Sequence, residues 1–144
     1  MIERLHLAVS GTRERDSRLE FLVPHYIYVE VPAKLGAHPT LIRVGCARGV
    51  DEIVRQSVTC VVHNARWDEL GKRAGMVRNE EMLDAAIEGA AADVAHGIAS
   101  RAVLLAFPRD GERGTQGCIQ SALKRRMCVW EVPCGEQWSR IHNL

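Results

Sequence analysis

Three short runs of the sequence combine glycines with cations or hydroxyls, the residue types that hold anions. The runs are GCARGVD at residues 45–51, GKRAGMVRN at residues 71–79 and PRDGERGT at residues 108–115. A glycine lets the backbone turn with positive φ and lets amide groups approach a ligand closely, because no Cβ intervenes. Where a helix begins at such a loop, its unpaired N–H groups and the positive end of its dipole face the same point. The first and third runs each follow an apolar segment, so both are predicted to be anion-holding loops.

Individual side chains within these loops suit the binding of phosphate. Arg48 offers a fork-shaped donor, and the hydroxyl of Thr115 can donate to a phosphate oxygen or cap the following helix. Asp51 lies in the first turn of a predicted helix, where capping the helix and contacting a ligand are equally good interpretations. Neither the G-x-x-x-x-G-K-[ST] phosphate loop nor the G-x-G-x-x-G fingerprint occurs, so the common triphosphate and dinucleotide sites are unsupported.

Alternating strands and helices are predicted to position these loops. Apolar runs predict five strands, at residues 5–10, 40–44, 57–63, 102–107 and 128–132. Helix-forming residues and helical spacing predict helices at residues 50–56, 79–87, 90–99 and 114–126. The second and third of these helices are separated by a break near Gly89. A further helix is predicted to begin near Pro24, since proline suits the first turn of a helix.

This order of elements predicts the fold class. Strands that alternate with helices across short connections form a parallel sheet with helices on both faces. The chain is therefore expected to be α/β, a single Rossmann-like three-layer domain over residues 1–144 with a mainly parallel sheet of about five strands. In such sheets ligands bind beyond the carboxyl ends of the strands, where Gly11, Gly45 and residues 108–115 would emerge.

Charge and composition limit the kinds of molecule that the chain is expected to bind. The 19 Lys and Arg against 18 Asp and Glu give a net charge of +1, and aromatic residues make up 5% of the chain, so nucleic-acid binding is disfavoured. No apolar run approaches the length of a membrane helix, and no signal peptide is recognised. The five cysteines form no C-x-x-C pair and are interpreted as reduced thiols of a cytoplasmic protein. The histidines share no metal-ligand spacing, so neither a metal nor a cofactor is predicted.

Four motifs occur in order along the chain: G-T-R at residues 11–13, G-C-A-R-G-V-D at 45–51, W-x-x-x-G-K-x-A-G-x-x-R-N-x-x-M-L at 67–83 and F-P-(x)n-R-G-T at 107–115. Together they resemble the SLOG superfamily of Rossmann-like proteins, specifically its YspA-like, cpYpsA-related branch, over about residues 5–132. That superfamily includes the LOG phosphoribohydrolases, the DNA-uptake protein DprA and modules that sense nucleotide-derived signals. The resemblance implies a nucleotide or a related small molecule as ligand.

The resemblance also implies which residues form the site. The first ligand loop would contain Gly11, Thr12 and Arg13, and the second would contain Gly45, Ala47, Arg48, Gly49 and Asp51. The phosphate loop after Pro108 would contain Arg113, Gly114 and Thr115, and the pocket would be closed by Trp67, Lys72, Arg78 and Asn79. Taken from the residues alone, Trp67 fits core packing as well as base stacking. Lys72 fits plain solubility as well as a phosphate contact, and Arg78 and Asn79 also fit a solvated cation and a helix cap.

One departure from the family bears on catalysis. The LOG motif P-G-G-x-G-T-x-x-E places a catalytic glutamate three residues after its threonine, where this chain has Cys118. A cysteine does not supply the carboxylate that glycosidic cleavage requires. The expected function is therefore binding of a phosphate-bearing nucleotide or nucleotide-derived metabolite at the carboxyl edge of the sheet.

The alternative function is that of an N-glycosidase or phosphoribohydrolase, whose acid would be Asp51, Glu80 or Glu112, and no catalytic residue is assigned. A nucleic-acid accessory role like that of DprA is less favoured. Relatives in the superfamily often form dimers, so a homo-oligomer is expected, with the apolar helix at residues 85–99 as its interface.

Overall fold

The computed structural model describes all 144 residues and contains one six-stranded sheet. The strands are β1 (Arg4–Gly11), β2 (Leu41–Gly45), β3 (Val61–His63), β4 (Ser100–Phe107), β5 (Cys128–Glu131) and β6 (Arg140–His142). Their order is β3-β2-β1-β4-β5-β6, and every neighbouring pair is parallel except β5 and β6. The predicted α/β, mainly parallel, Rossmann-like architecture is confirmed. Five strands were expected, and β6 is an additional edge strand.

Helices cover both faces of this sheet. They are α1 (Ser17–His25), α2 (Val31–Leu35), α3 (Val50–Ser57), α4 (Trp67–Leu70), α5 (Ala74–Ala95) and α6 (Arg113–Lys124). On one face Leu7 of β1 shares an apolar cluster with Val23 of α1 and Ile53 of α3. On the other face Ala8 of β1 shares a second cluster with Leu83 of α5. β1 is thus buried on both sides, as its continuous apolar run predicts.

The prediction of a helix start at Pro24 is wrong. α1 begins at Ser17, because the side chain of Asp16 accepts a hydrogen bond from the backbone N–H of Leu19 at 2.8 Å and caps the first turn. Pro24 lies inside α1, and the chain continues through a π-helical turn at Tyr26–Glu30 into α2.

We expect Asp16→Ala to lower the free energy of unfolding by about 1 kcal/mol, because the Leu19 N–H loses its acceptor. Asp16→Asn should retain most of the stability, since asparagine also caps helices and only the weak contact to Arg109, at 3.5 Å, loses its charge. Urea titration of the three proteins measures the difference. If the alanine variant unfolded at the wild-type midpoint, the cap would contribute nothing.

The break predicted near Gly89 is also wrong, because α5 is continuous from Ala74 to Ala95. Gly89 faces the ring of His6 on β1, and a Cβ at Gly89 would lie only 2.7 Å from His6 Cε1. The glycine is therefore required for close packing of α5 on the sheet. No helix in the structure combines the length and apolarity needed to cross a membrane.

Candidate functional site

The loops that follow β1 and β2 meet helices α4 and α5, which follow β3, at the carboxyl edge of the sheet and enclose a cavity of about 180 Å³. Its walls are formed by Arg13, Cys46, Ala47, Arg48, Trp67 and Arg78. Five of these six were predicted as site residues, and Cys46 was not. The parallel order β3-β2-β1 explains why segments distant in the sequence converge here.

The cavity is strongly cationic. Arg13 and Arg48 are exposed, and their guanidinium groups make no ion pair or hydrogen bond within the chain. Arg78 is only 7% exposed and forms part of the buried floor. Trp67 is 49% exposed, so its indole is a wall of the cavity and also faces solvent. Guanidinium groups beside an aromatic face are suited to an anion that carries a planar group.

The second loop, residues 45–51, is held by the side chains of Asp51 and Arg55. The Asp51 carboxylate accepts a hydrogen bond from the Ala47 N–H at 3.2 Å. Arg55 Nη1 donates to the carbonyl oxygens of Gly45 and Ala47, both at 2.9 Å. A Cβ at Gly45 would lie 2.5 Å from Arg78 Nη1 and 2.6 Å from Asp51 Oδ2, so the glycine makes room for both charged groups. Asp51 therefore holds the loop and does not line the cavity.

Burial raises the pKa of Asp51 above its ordinary value, because desolvation disfavours the carboxylate. The positive charge of Arg78, the Ala47 N–H, Arg55 and Arg13 act in the opposite direction, and Arg78 is the largest of these. The attraction to Arg78 couples the ionisation of Asp51 to the guanidinium on the cavity floor.

Arg78 is oriented by three contacts. Its Nε donates to Asn79 Oδ1 at 2.8 Å, and its Nη1 donates to Cys46 Sγ at 3.3 Å and to the His63 carbonyl oxygen at 3.5 Å. Asn79 thus positions the guanidinium without lining the cavity. The sequence predicts a helix that begins at Asn79, where these two residues also fit a cap, but α5 begins at Ala74 and both lie in its second turn.

The first and second loops are packed directly together. Gly49 has a φ of +73°, and the Val50 N–H donates to the Thr12 carbonyl oxygen at 3.0 Å. A Cβ at Gly49 would lie 2.2 Å from that same Thr12 oxygen. Gly11 is in a similar position, because its Cβ would meet the side chain of Val50 at 2.5 Å. These glycines allow two backbones to approach closely, which in turn brings Arg13 to the cavity.

The carboxylate of Glu112, in the run at residues 108–115, is bound by the first loop, residues 11–13. Thr12 is fully buried, and its hydroxyl donates to one oxygen of Glu112. The Arg13 N–H donates to the other oxygen at 3.2 Å, and the Thr12 hydroxyl accepts from the Glu14 N–H at 3.1 Å. The sequence named Glu112 only as a candidate acid. The structure makes it an internal anion that joins the loop after β4 to the loop after β1.

The remaining predicted residues lie outside the cavity. Lys72 is exposed in a 3₁₀ turn, Gly71–Arg73. Arg113 and Gly114 are exposed at the start of α6, while Pro108 and Thr115 are buried. On the next turn of α6, burial raises the pKa of the Cys118 thiol to about 11, so that thiol is inert at neutral pH.

The fold and this site define an α/β protein of Rossmann-like architecture with a cationic cavity at the carboxyl edge of its sheet. No family model matches the chain, and no solved structure matches it. It is similar to the Gene 61 protein of Mycobacterium phage D29, with 36% identity over 90 residues. The match covers 56% of this chain and 61% of the phage protein, which is less than two thirds of that relative.

Proposed function

We propose that this protein binds a phosphate-bearing nucleotide or nucleotide-derived metabolite at the carboxyl edge of its sheet, as a member of the YspA-like branch of the SLOG superfamily. The observation that carries the proposal is the convergence of Arg13, Arg48 and Arg78 with Trp67 on one cavity. The guanidinium groups hold the phosphate, and the indole contacts the base. The motif order along the chain supports the same class of ligand.

The cavity has room for only part of a nucleotide. Pockets that enclose a whole drug-sized molecule have volumes of roughly 300–1,000 Å³, whereas this one has about 180 Å³. A phosphate and part of a sugar fit within that volume. The base then lies at the mouth, where the half-exposed face of Trp67 is available for stacking.

The first loop supports the proposal through the position of Arg13. The Thr12 hydroxyl and the Arg13 N–H hold the two oxygens of the Glu112 carboxylate. These contacts fix the backbone at Arg13, whose guanidinium group lines the cavity without a partner in the chain.

Binding is favoured over hydrolysis because the candidate acids do not reach the cavity. Asp51, Glu80 and Glu112 are all absent from its walls. Asp51 is engaged with the Ala47 N–H, and Glu112 is engaged with the first loop. Cleavage of a glycosidic bond requires a carboxyl group at the reacting carbon.

The proposal also includes a cytoplasmic location and a homo-oligomer. All five cysteines are free thiols, which is typical of proteins in a reducing compartment. The outer face of α5 carries Val94, which is 58% exposed, together with exposed alanines, and it is the proposed contact between copies.

We expect nucleoside monophosphates, nucleoside diphosphates or ribose 5-phosphate to raise the melting temperature in a thermal-shift screen, with inorganic phosphate as the reference anion. A ligand at 100 times its Kd stabilises the native state by about 2.7 kcal/mol, which corresponds to several degrees for a chain of this length. Arg48→Ala should abolish the shift without lowering the melting temperature of the free protein, because Arg48 is exposed and unpaired.

Arg73→Ala is the matched control, since Arg73 is also exposed but does not line the cavity. Its shift should equal that of the wild type. A full shift in the Arg48→Ala variant, or no shift with any nucleotide, would reject the proposal. Chromatography of the same mixtures should show intact nucleotide, and release of free base would identify an enzyme instead.

A further inference from the structure

Cys46 differs from the other four cysteines in its surroundings. Cys118 and Cys128 are buried in the core, and burial raises the pKa of both thiols. Desolvation also raises the pKa of the half-buried Cys60 and Cys134 thiols. Cys46 is the one thiol that lines the cationic cavity, and it is partly accessible to solvent.

The sulfur of Cys46 is held by two N–H groups. The backbone N–H of Ala65 and Nη1 of Arg78 both donate to Sγ at 3.3 Å. Sulfur is the nucleophilic atom of cysteine, so these contacts determine the direction from which an electrophile approaches it. The two donors come from different elements, so the sulfur is fixed in position relative to the cavity.

The other charged side chains of the cavity attract anions towards the Cys46 sulfur. The guanidinium groups of Arg13 and Arg48 have no partner within the chain. A concave surface lined with one sign of charge concentrates ions of the opposite sign. The cavity therefore combines a nucleophile, the Cys46 sulfur, with two unpaired cations, and this combination selects anionic electrophiles.

We propose that Cys46 is a modification site for small electrophiles that carry a carboxylate or a phosphate. In the reaction the Cys46 Sγ attacks the electrophilic carbon and forms an S–C bond. The bond from that carbon to the leaving group breaks, the leaving group departs with the electron pair, and the thiol proton passes to solvent. This property goes beyond nucleotide binding and does not depend on which molecule fills the cavity.

The test compares iodoacetate with iodoacetamide on the native protein. The two reagents transfer similar groups with loss of iodide, but only iodoacetate is an anion. Peptide mapping by mass spectrometry gives the rate at each cysteine. We expect the ratio of the iodoacetate rate to the iodoacetamide rate to be about tenfold higher at Cys46 than at Cys60 or Cys134.

Variants at Arg48 test whether this arginine causes the higher rate ratio at Cys46. Arg48→Ala should bring the ratio at Cys46 close to the ratios at Cys60 and Cys134, Arg48→Lys should keep most of it, and Arg73→Ala should leave it unchanged. Equal ratios at the three thiols would overturn the proposal, and so would equal losses in the Arg48→Ala and Arg73→Ala variants. The assay contains no nucleotide, so a negative ligand screen and a negative alkylation result are separate findings.

Discussion

Gly49→Ala is expected to lower the free energy of unfolding by about 3–5 kcal/mol. Two causes act together. The backbone at Gly49 has φ of +73° and ψ of −125°, a conformation that residues with a Cβ rarely adopt. The added Cβ would also lie 2.2 Å from the Thr12 carbonyl oxygen and 2.5 Å from the Arg13 carbonyl carbon. Backbone atoms cannot move aside as a flexible side chain can, so the first and second loops must separate.

Gly111→Ala separates these two causes. Gly111 has φ of +83°, but a Cβ there would meet nothing within 4 Å. We expect this variant to lose only about 1 kcal/mol, the cost of the positive φ alone. Urea unfolding of both variants beside the wild type measures the difference. Equal losses at the two positions would mean that the contact between the first and second loops does not stabilise the protein.

The strands were predictable because burial on both faces demands continuous apolar sequence. The runs at β1 and β4 have that form, and their order with the intervening helices was sufficient for a parallel sheet. The helix boundaries were less predictable. Pro24 and Gly89 are residues that usually end helices, but a cap at Asp16 and the ring of His6 determine their places here. The cap at Asp16 is a local signal, 8 residues before Pro24, whereas His6 is 83 residues from Gly89 and no local pattern links those two.

The grouping of three arginines of the candidate site follows from the strand order, which brings distant segments to one edge of the sheet. Glycines beside arginines indicated anion-holding loops, and Arg13, Arg48 and Arg78 do line one cavity. The reason for the glycines was not predictable, since Gly45 makes room for two buried side chains and not for a ligand. The position of Glu112 was equally hidden, because its contact with Thr12 spans 100 residues. Contacts between residues so far apart in the sequence cannot be predicted until the fold places their loops together.

Arg78→Met is the second substitution with a large expected effect, a loss of about 3 kcal/mol at neutral pH. Methionine fills a similar volume but leaves Asp51 buried without its strongest neighbouring cation. The loss should depend on pH. The folded pKa of Asp51 is raised, so its charge destabilises the native state once the pH rises above the ordinary value of 3.8 and through the folded pKa. Removing Arg78 raises the folded pKa further and enlarges that loss.

The difference in unfolding free energy between Arg78→Met and the wild type should therefore be greatest at about pH 7.5 and should shrink as the pH is lowered to about pH 4, close to the ordinary pKa of 3.8, because Asp51 takes up a proton in the folded variant. Asp51→Asn in the Arg78→Met background removes the titrating group, so it should abolish this pH dependence and restore part of the stability at pH 7.5. Arg125→Met is the control, because Arg125 pairs with Asp84 at 2.7 Å near the surface and should cost at most about 1 kcal/mol. A loss at Arg78 that was equal at both pH values would show that the guanidinium acts through packing alone. The Asp51 carboxyl would then be independent of the cavity floor.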